Sequence, residues 1–189
     1  MPNVKWGEPG KPPCALADVI PVGTIANVTK GAGWFADEDN NGGSQQIPFD
    51  DPRAVWKTVH LTFSVERQWG VAKAPSDVRV GLAMGGKADF ARVASDLKSL
   101  GRVVLFLYKD SPVFAYEPYL FAIQEDGGMI ATVDSEGRLA LPFLDSARAA
   151  RLLEQTPTLD ALAAAARDPE RTIELAQVGG ALVRVKPTG

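Results

Sequence analysis

The sequence predicts an α+β protein in which short antiparallel strands are covered by helices on one side. Residues 58–66 alternate between apolar and polar side chains, which is the pattern of a half-buried strand. Residues 87–100 repeat apolar side chains at helical spacing and end at Gly101, a common helix stop. Glycine pairs at residues 127–128 and 179–180 mark turns between further short strands. Helix and hairpin signals thus occur in one chain, which favours the α+β class.

Length and composition limit the kinds of protein that the chain can be. Its 189 residues suffice for one large domain or two small ones. The net charge of −3 argues against strong sequence-independent binding of nucleic acid, because Lys and Arg supply most of that affinity by neutralising phosphates. No apolar run is long enough to cross a bilayer, so we expect no membrane association.

The first residues and the cysteine content indicate the cellular compartment. Residues 1–21 contain five prolines and two glycines, which predicts an extended arm. The arm has no basic segment followed by an apolar one, so we expect no secretory signal. Cys14 is the only cysteine, and a single cysteine can form neither an intramolecular disulfide nor a cysteine-rich metal site. We expect a cytoplasmic protein.

Residues 22–82 predict a small β-barrel. A strand begins at Val22, and Gly31 and Gly33 interrupt its continuation, which suggests a bulge or a tight bend. A turn rich in Asp, Asn and Gly follows at residues 37–44. Further strand-like segments come at residues 45–49, 58–66, 71–74 and 77–82. Five short strands in about sixty residues suit a five-stranded Greek-key barrel of the OB type.

Residues 83–189 predict a second, small domain with an antiparallel sheet and helices. The continuous apolar run at residues 103–108 predicts a strand that is covered on both faces. Asp145 and Thr158 are suitable N-cap residues for two later helices. The remaining predicted strands are at residues 119–124, 129–134, 138–142, 171–176 and 181–186.

The first domain resembles the cold-shock family, whose members are OB-type barrels that bind single-stranded nucleic acid. Residues 23–25, Gly-Thr-Ile, match the family's Gly-x-Val/Ile strand. Residues 30–35, Lys-Gly-Ala-Gly-Trp-Phe, match its first RNA-binding motif, with Ala32 in place of the first stacking aromatic. The second motif falls at residues 46–49. The resemblance covers residues 22–80 and implies an OB fold.

The same resemblance implies a site for single-stranded RNA or DNA on the barrel. Trp34 would stack on a base, while Lys30 and Lys73 would contact phosphates. The site would be completed by Phe35, Phe49, His60 and Trp69. The alternative is a module for protein interaction or homo-oligomeric assembly that has kept the barrel and lost the nucleic-acid site. The net negative charge and Ala32 favour that alternative.

The second domain has a weaker resemblance to SseB-like domains. Residues 137–145, Gly-Arg-Leu-Ala-Leu-Pro-Phe-Leu-Asp, match that family's strand that leads into a helix. The resemblance implies protein interaction rather than chemistry.

The sequence offers no set of catalytic residues. His60 is the only histidine, which excludes a multi-histidine metal site but not a single general base. The glycine-rich residues 81–86 lack the spacing of a phosphate-binding loop or a dinucleotide fingerprint. We therefore predict a non-enzymatic protein without a cofactor or a metal.

Overall fold

The computed structural model describes residue 17 and residues 19–37, 43–70, 73–109, 121–123, 130–154, 156–167, 174–178 and 181–185. The strands are β1 (Val19–Asp37), β2 (Gly43–Ile47), β3 (Trp56–Gly70), β4 (Asp77–Gly85), β5 (Arg102–Leu105), β6 (Leu107–Lys109), β7 (Phe121–Ile123), β8 (Ile130–Val133), β9 (Leu139–Ala140), β10 (Glu174–Val178) and β11 (Ala181–Val185). The helices are α1 (Phe90–Ser99), α2 (Ser146–Leu153) and α3 (Leu159–Ala166).

Nine of the described strands form one sheet in which the two halves of the chain are mixed. Along the main path the order is β3-β4-β7-β6-β1-β5-β8-β9; β2 pairs with β1, and β1 also pairs with β3. The pairing of β4 with β7 is parallel, and the other described pairings are antiparallel. Strands β10 and β11 form a separate two-stranded sheet.

The α+β class agrees with this architecture, but the predicted N-terminal barrel needs correction. The strands of residues 22–82 do not close into a barrel of their own. Instead β1 pairs with β5 and β6, and β4 pairs with β7, so their partners come from the second half of the chain. Strands from both sides of the expected boundary at residue 82 therefore share a sheet. The division into two domains stays a prediction.

β1 is the central strand and is 19 residues long. Its first half lies between β3 on one side and β5 and β6 on the other, whereas its last residues lie between β3 and β2. Three register shifts against β3 interrupt the pairing, and such bulges bend a strand. At Gly23 an added Cβ would collide with the carbonyl of Ser64, so only glycine allows the two strands to approach this closely.

The core is one cluster of apolar side chains from both halves. The alternation predicted at residues 58–66 is observed only in part, because Val59, Leu61 and Phe63 are buried and Thr62 is exposed, but Thr58 and His60 on the predicted polar face are buried as well. Other fully buried large side chains are Ile20, Val22, Leu105, Phe106, Leu107, Ile130 and Leu162. Burying a side chain of this size contributes about 1.5–3 kcal/mol, so the shared cluster links β1 and β3 firmly to the later elements.

α2 and α3 begin directly after the predicted caps Asp145 and Thr158, whereas α1 begins at Phe90 and not at residue 87. The Asp89 carboxylate accepts a hydrogen bond from the Ala91 N–H at the start of α1, and Gly101, with φ at 69°, follows its end. The Thr158 hydroxyl accepts from the Ala161 N–H at the start of α3. No helix among the described residues is both long enough and apolar enough to span a membrane.

Some predicted bounds differ from the structure. The apolar run at residues 103–108 is divided at Phe106 into β5 and β6, which pair with different strands. Val19 and Ile20, assigned to the arm, belong to β1 because they are buried in the core. Residues 1–16 and 18 of the arm, which include Cys14, lie outside the described residues, as do the centre of the acidic turn and both glycine pairs.

Candidate interaction site

The Lys-Gly-Ala-Gly segment that resembles a nucleic-acid motif forms a bulge in β1. Here Gly31 and Ala32 face the single residue Thr58 of β3. The Thr58 hydroxyl accepts a hydrogen bond from the Ala32 N–H at 2.9 Å and donates one to the Ala32 carbonyl at 3.3 Å. An added Cβ on Gly31 would collide with the Nε2 atom of His60 and with Thr58. Glycine at this position therefore permits close packing between the two strands.

Trp34, the expected base-stacking residue, is buried. It is 2% exposed and stacks on Trp56, with ring centroids 4.8 Å apart and planes 6° from parallel. The two residues are cross-strand partners, and the Val55 N–H donates to the Trp34 carbonyl at 2.9 Å. An indole enclosed in this way has no face open to a nucleobase. The expectation that Trp34 is exposed is corrected, because pairing with Trp56 occupies the ring.

Lys30 and Phe49 lie together with Lys57 and Phe90. Phe49 is buried and packs edge-on against Phe90, with centroids 5.6 Å apart. The ammonium groups of Lys30 and Lys57 lie 5.3 Å and 4.9 Å from the centre of the Phe49 ring, within the range of cation–π attraction. Lys30 also forms an ion pair with Asp50 at 2.8 Å. Among the described residues, no carboxylate forms an ion pair with Lys57.

Phe35 is half-buried close to the turn that follows β2. The Arg53 guanidinium lies 5.8 Å from the centre of its ring. Arg53 also donates two hydrogen bonds to the carboxylate of Asp51, at 3.0 Å and 2.7 Å. These bonds lower the pKa of Asp51 from 3.8 to about 2. The cation beside Phe35 is thus already neutralised within its own turn.

His60 is also buried, at 8% exposure, although its position on the polar face predicted a surface residue. Its Nδ1 atom lies 2.7 Å from Nη2 of Arg79. Because a guanidinium can only donate, Nδ1 is the acceptor, and the hydrogen of the neutral ring is on Nε2. Nε2 lies beside Gly31, so the bulge in β1 covers the ring.

Trp69 and Lys73 lie near the other end of β3. Trp69 is half-buried against the core, and the Arg67 guanidinium lies 5.4 Å from the centre of its ring. The Gln68 side chain both donates to the Ala74 carbonyl at 2.8 Å and accepts from the Ala74 N–H at 2.7 Å. These two bonds hold the segment with Lys73 close to β3, where Lys73 is exposed.

The seven predicted site residues therefore do not form one face. Trp69 pairs with Ile20 near the start of β1, whereas Trp34 lies near its end. Trp34, Phe49 and His60 are buried. Lys30 and Phe49 are neighbours, but an ion pair occupies the lysine.

The outer side of β2 offers a different kind of site. β2 pairs with residues 33–37 of β1, and no described strand pairs with its other side. Its sequence, Gly-Ser-Gln-Gln-Ile, carries no charge. Ser44, Gln45 and Gln46 are exposed, and Ile47 is half-buried. The backbone N–H and C=O groups along such an edge can pair with an additional strand.

Sequence reasoning missed Lys57, Phe90 and the open edge of β2. Lys57 reaches Phe49 only through the register of β1 against β3, and Phe90 reaches it only through the packing of α1. The edge had a usable signal, since strands at sheet edges normally carry a charge or proline within them and β2 carries neither.

The described residues contain no group of three or more His, Cys, Asp or Glu side chains suited to a metal ion. Comparison of the chain with known proteins identified no matching family model, no matching curated protein and no matching solved structure.

Proposed function

We propose that this protein is a non-enzymatic module for protein interaction or assembly, which accepts an extended segment as an additional strand at the edge of β2. The observation that carries the proposal is the uncharged outer edge of β2, which no described strand covers. A strand added at such an edge gains affinity from backbone hydrogen bonds and specificity from alternate side chains.

The side chains beside the edge indicate what the incoming segment contains. Gln45 and Ile47 are the cross-strand partners of Phe35 and Gly33, so these four residues lie on one face of the sheet. Ile47 and Phe35 are half-buried and supply apolar surface on that face. The fitting segment is therefore extended and uncharged, with an apolar side chain that lies beside Ile47.

The test is selection of extended peptides from a random library on the intact protein, followed by affinity measurement with Gln45→Pro and Gln46→Pro variants. Successive residues of an antiparallel strand direct their N–H groups to opposite sides. One proline therefore removes a hydrogen bond to the added strand, and the other removes a bond to β1. We expect the variant that loses the hydrogen bond to the added strand to bind the peptide about tenfold or more weakly, which corresponds to about 1.4 kcal/mol. That variant should keep the stability of the fold.

Thermal unfolding distinguishes the two proline variants, because only the variant that weakens pairing with β1 loses stability. An exposed position remote from β2, Ser95→Ala in α1, is the matched control and leaves peptide binding unchanged. Selected peptides that bind both proline variants as well as the natural sequence would exclude β2 as the binding edge.

A second candidate function, binding of single-stranded RNA or DNA, is favoured by one observation. Trp69 is half-buried with Arg67 over its ring, and the exposed Lys73 lies in the segment that Gln68 bonds to β3. An aromatic ring with a cation beside it is a suitable platform for a base and its phosphate. The proposal for nucleic acid thus moves from Trp34 to Trp69.

Binding of a labelled oligo-dT or oligo-U strand at low salt tests this second function. Trp69→Ala should weaken binding by about 1–3 kcal/mol if the ring stacks on a base. Lys98→Ala, which removes an exposed cation in α1, is the control. Absence of binding by the unmodified protein would remove the nucleic-acid function altogether. A cytoplasmic location, supported by the single cysteine, belongs to both proposals.

A further inference from the structure

We propose that Lys30 and Lys57 form a binding site for a small organic anion, a carboxylate that is carried on an apolar or aromatic body. The site lies beside Phe49 and Phe90, where one face of the sheet leaves the core. This inference goes beyond the strand-accepting edge of β2 and does not depend on it.

The two lysines lie on the face of the sheet that otherwise carries the core. Alternate residues of a strand share a face, so Lys57 is on the same face as the buried Val59. Cross-strand partners also share a face. Lys30 is the partner of Val59, and Met84 is the partner of Lys57. β1 and β3 therefore each place a lysine where this apolar face ends.

Positive charge and apolar surface meet at this end of the core. The ammonium groups of Lys30 and Lys57 lie 5.3 Å and 4.9 Å from the centre of the buried Phe49 ring. Lys30 also lies 5.7 Å from the centre of the Phe90 ring. Phe90 and Met84 are half-buried, so each exposes part of an apolar side chain. A ligand can therefore bury an apolar body here while both cations attract its anionic end.

Asp50 indicates which anion fits the site. Lys30 donates to both carboxylate oxygens of Asp50, each at 2.8 Å. The Asp50 side chain is 73% exposed, and an ion pair exposed to this extent contributes little stability. Among the described residues, no carboxylate forms an ion pair with Lys57. An external carboxylate can thus replace Asp50 beside Lys30 and gain Lys57 as a second cation.

NMR titration of the intact protein with phenylacetate at low salt tests the site. The readout is the backbone amide shifts of residues 30, 57 and 90. Acetate lacks the apolar body, and phenethyl alcohol lacks the charge. Each should bind about tenfold or more weakly than phenylacetate, because each loses one of the two contributions.

Two substitutions should change the affinity in opposite directions. Lys57→Gln removes a cation and should weaken phenylacetate binding about tenfold. Asp50→Asn removes the competing carboxylate and should strengthen binding about two- to fivefold, the range that corresponds to an exposed ion pair. Lys98→Gln and Asp96→Asn make the same two changes at exposed positions of α1 and should leave the affinity unchanged.

Lysines that only shield Phe49 from water would give a different result. Absence of phenylacetate binding, equal affinity for acetate, or an affinity that Lys57→Gln does not lower would overturn the inference. If Lys57→Gln folds poorly, Asp50→Asn decides, because Asp50 is exposed in a turn. Failure of Asp50→Asn to strengthen binding would then exclude Asp50 as the internal competitor and overturn the site.

Discussion

At the scale of single residues, the glycines and aromatics of the Lys30–Phe35 segment show how one pattern serves different purposes. In the cold-shock resemblance, glycine spaces the aromatic side chains that contact bases. In this structure Gly31 makes room for His60 and Thr58, and Trp34 is enclosed by Trp56. Gly31 and Gly33 correctly indicated an irregularity in the strand. They did not indicate which side of the strand faces the solvent.

The close approach at Gly31 gives the first prediction. Gly31→Ala should destabilise the protein by about 1–3 kcal/mol, because the added methyl group collides with His60 and Thr58 and the bulge must shift. The measurement is urea-induced unfolding followed by tryptophan fluorescence. Gly85→Ala is the control, since an added Cβ there meets nothing within 4 Å. Equal stability of the two variants would contradict the close packing.

The Asp51–Arg53 pair gives a pH prediction. The folded state binds the Asp51 proton more weakly than the unfolded state, because the pKa falls from 3.8 to about 2. Its contribution is therefore present above pH 3.8 and is lost as the pH falls through 2. Carboxyl-carbon NMR should give a midpoint near 2 for Asp51.

Removal of the guanidinium provides the control for that titration. In Arg53→Ala the Asp51 midpoint should rise toward 3.8, because hydrogen bonds from Arg53 are the largest cause of the lowered pKa. Arg92→Ala removes an exposed arginine elsewhere and should not move it. A low midpoint that persists without Arg53 would show that another group lowers the pKa.

At the scale of elements, local chemistry predicted the hairpins β8–β9 and β10–β11, but β7 and β8, which were predicted as a hairpin about residues 127–128, pair with other strands. Capping side chains and helical spacing depend on residues a few positions apart, and α2 and α3 begin directly after the predicted caps Asp145 and Thr158. The turn of Asp134 to Gly137 likewise joins β8 to β9. The length of β1 could not be predicted in the same way, because its residues are ordered by partners that come later in the chain.

The cap of α1 gives the prediction at this scale. Asp89→Ala should cost about 1 kcal/mol of stability, since it removes the acceptor of the Ala91 N–H and the favourable charge at the helix start. Thermal unfolding provides the measurement. Asp96→Ala, which breaks only an exposed i,i+4 ion pair with Arg92, should have a smaller effect. A larger loss of stability for Asp96→Ala than for Asp89→Ala would contradict the capping role of Asp89.

At the scale of the whole molecule, the choice of strand partners was the part that sequence reasoning got wrong. The alternation at residues 58–66 does not indicate which strand lies alongside, and residues 58–61 are buried on both faces of the strand. The apolar first half of β1 pairs along its second edge with β5 and β6. A barrel limited to residues 22–82 would leave β5 and β6 without β1 as their partner. The positions of the predicted site residues could not be predicted for the same reason, since the register of β1 against β3 places Trp34 and Trp69 near opposite ends of β1.

A fragment of residues 1–86 provides the prediction at this scale. The fragment retains β1 to β4 and loses the strands that pair with β1 and β4 from the second half. We expect it to lack a cooperative unfolding transition and to give a poorly dispersed NMR spectrum, whereas the full chain shows both cooperativity and dispersion. A fragment that folds by itself would support two separate domains despite the shared sheet.

The central position of β1 also has a consequence for how the protein is made. A ribosome synthesises β1 early, but the strands that cover its second edge begin at Arg102 and Leu107. Until those residues emerge, Ile20 and Val22 have no complete apolar enclosure, and pairing over such sequence separations is slow. The nascent chain should therefore need protection by a molecular chaperone during this interval, and its yield in cells should depend on the speed of translation between residues 37 and 107.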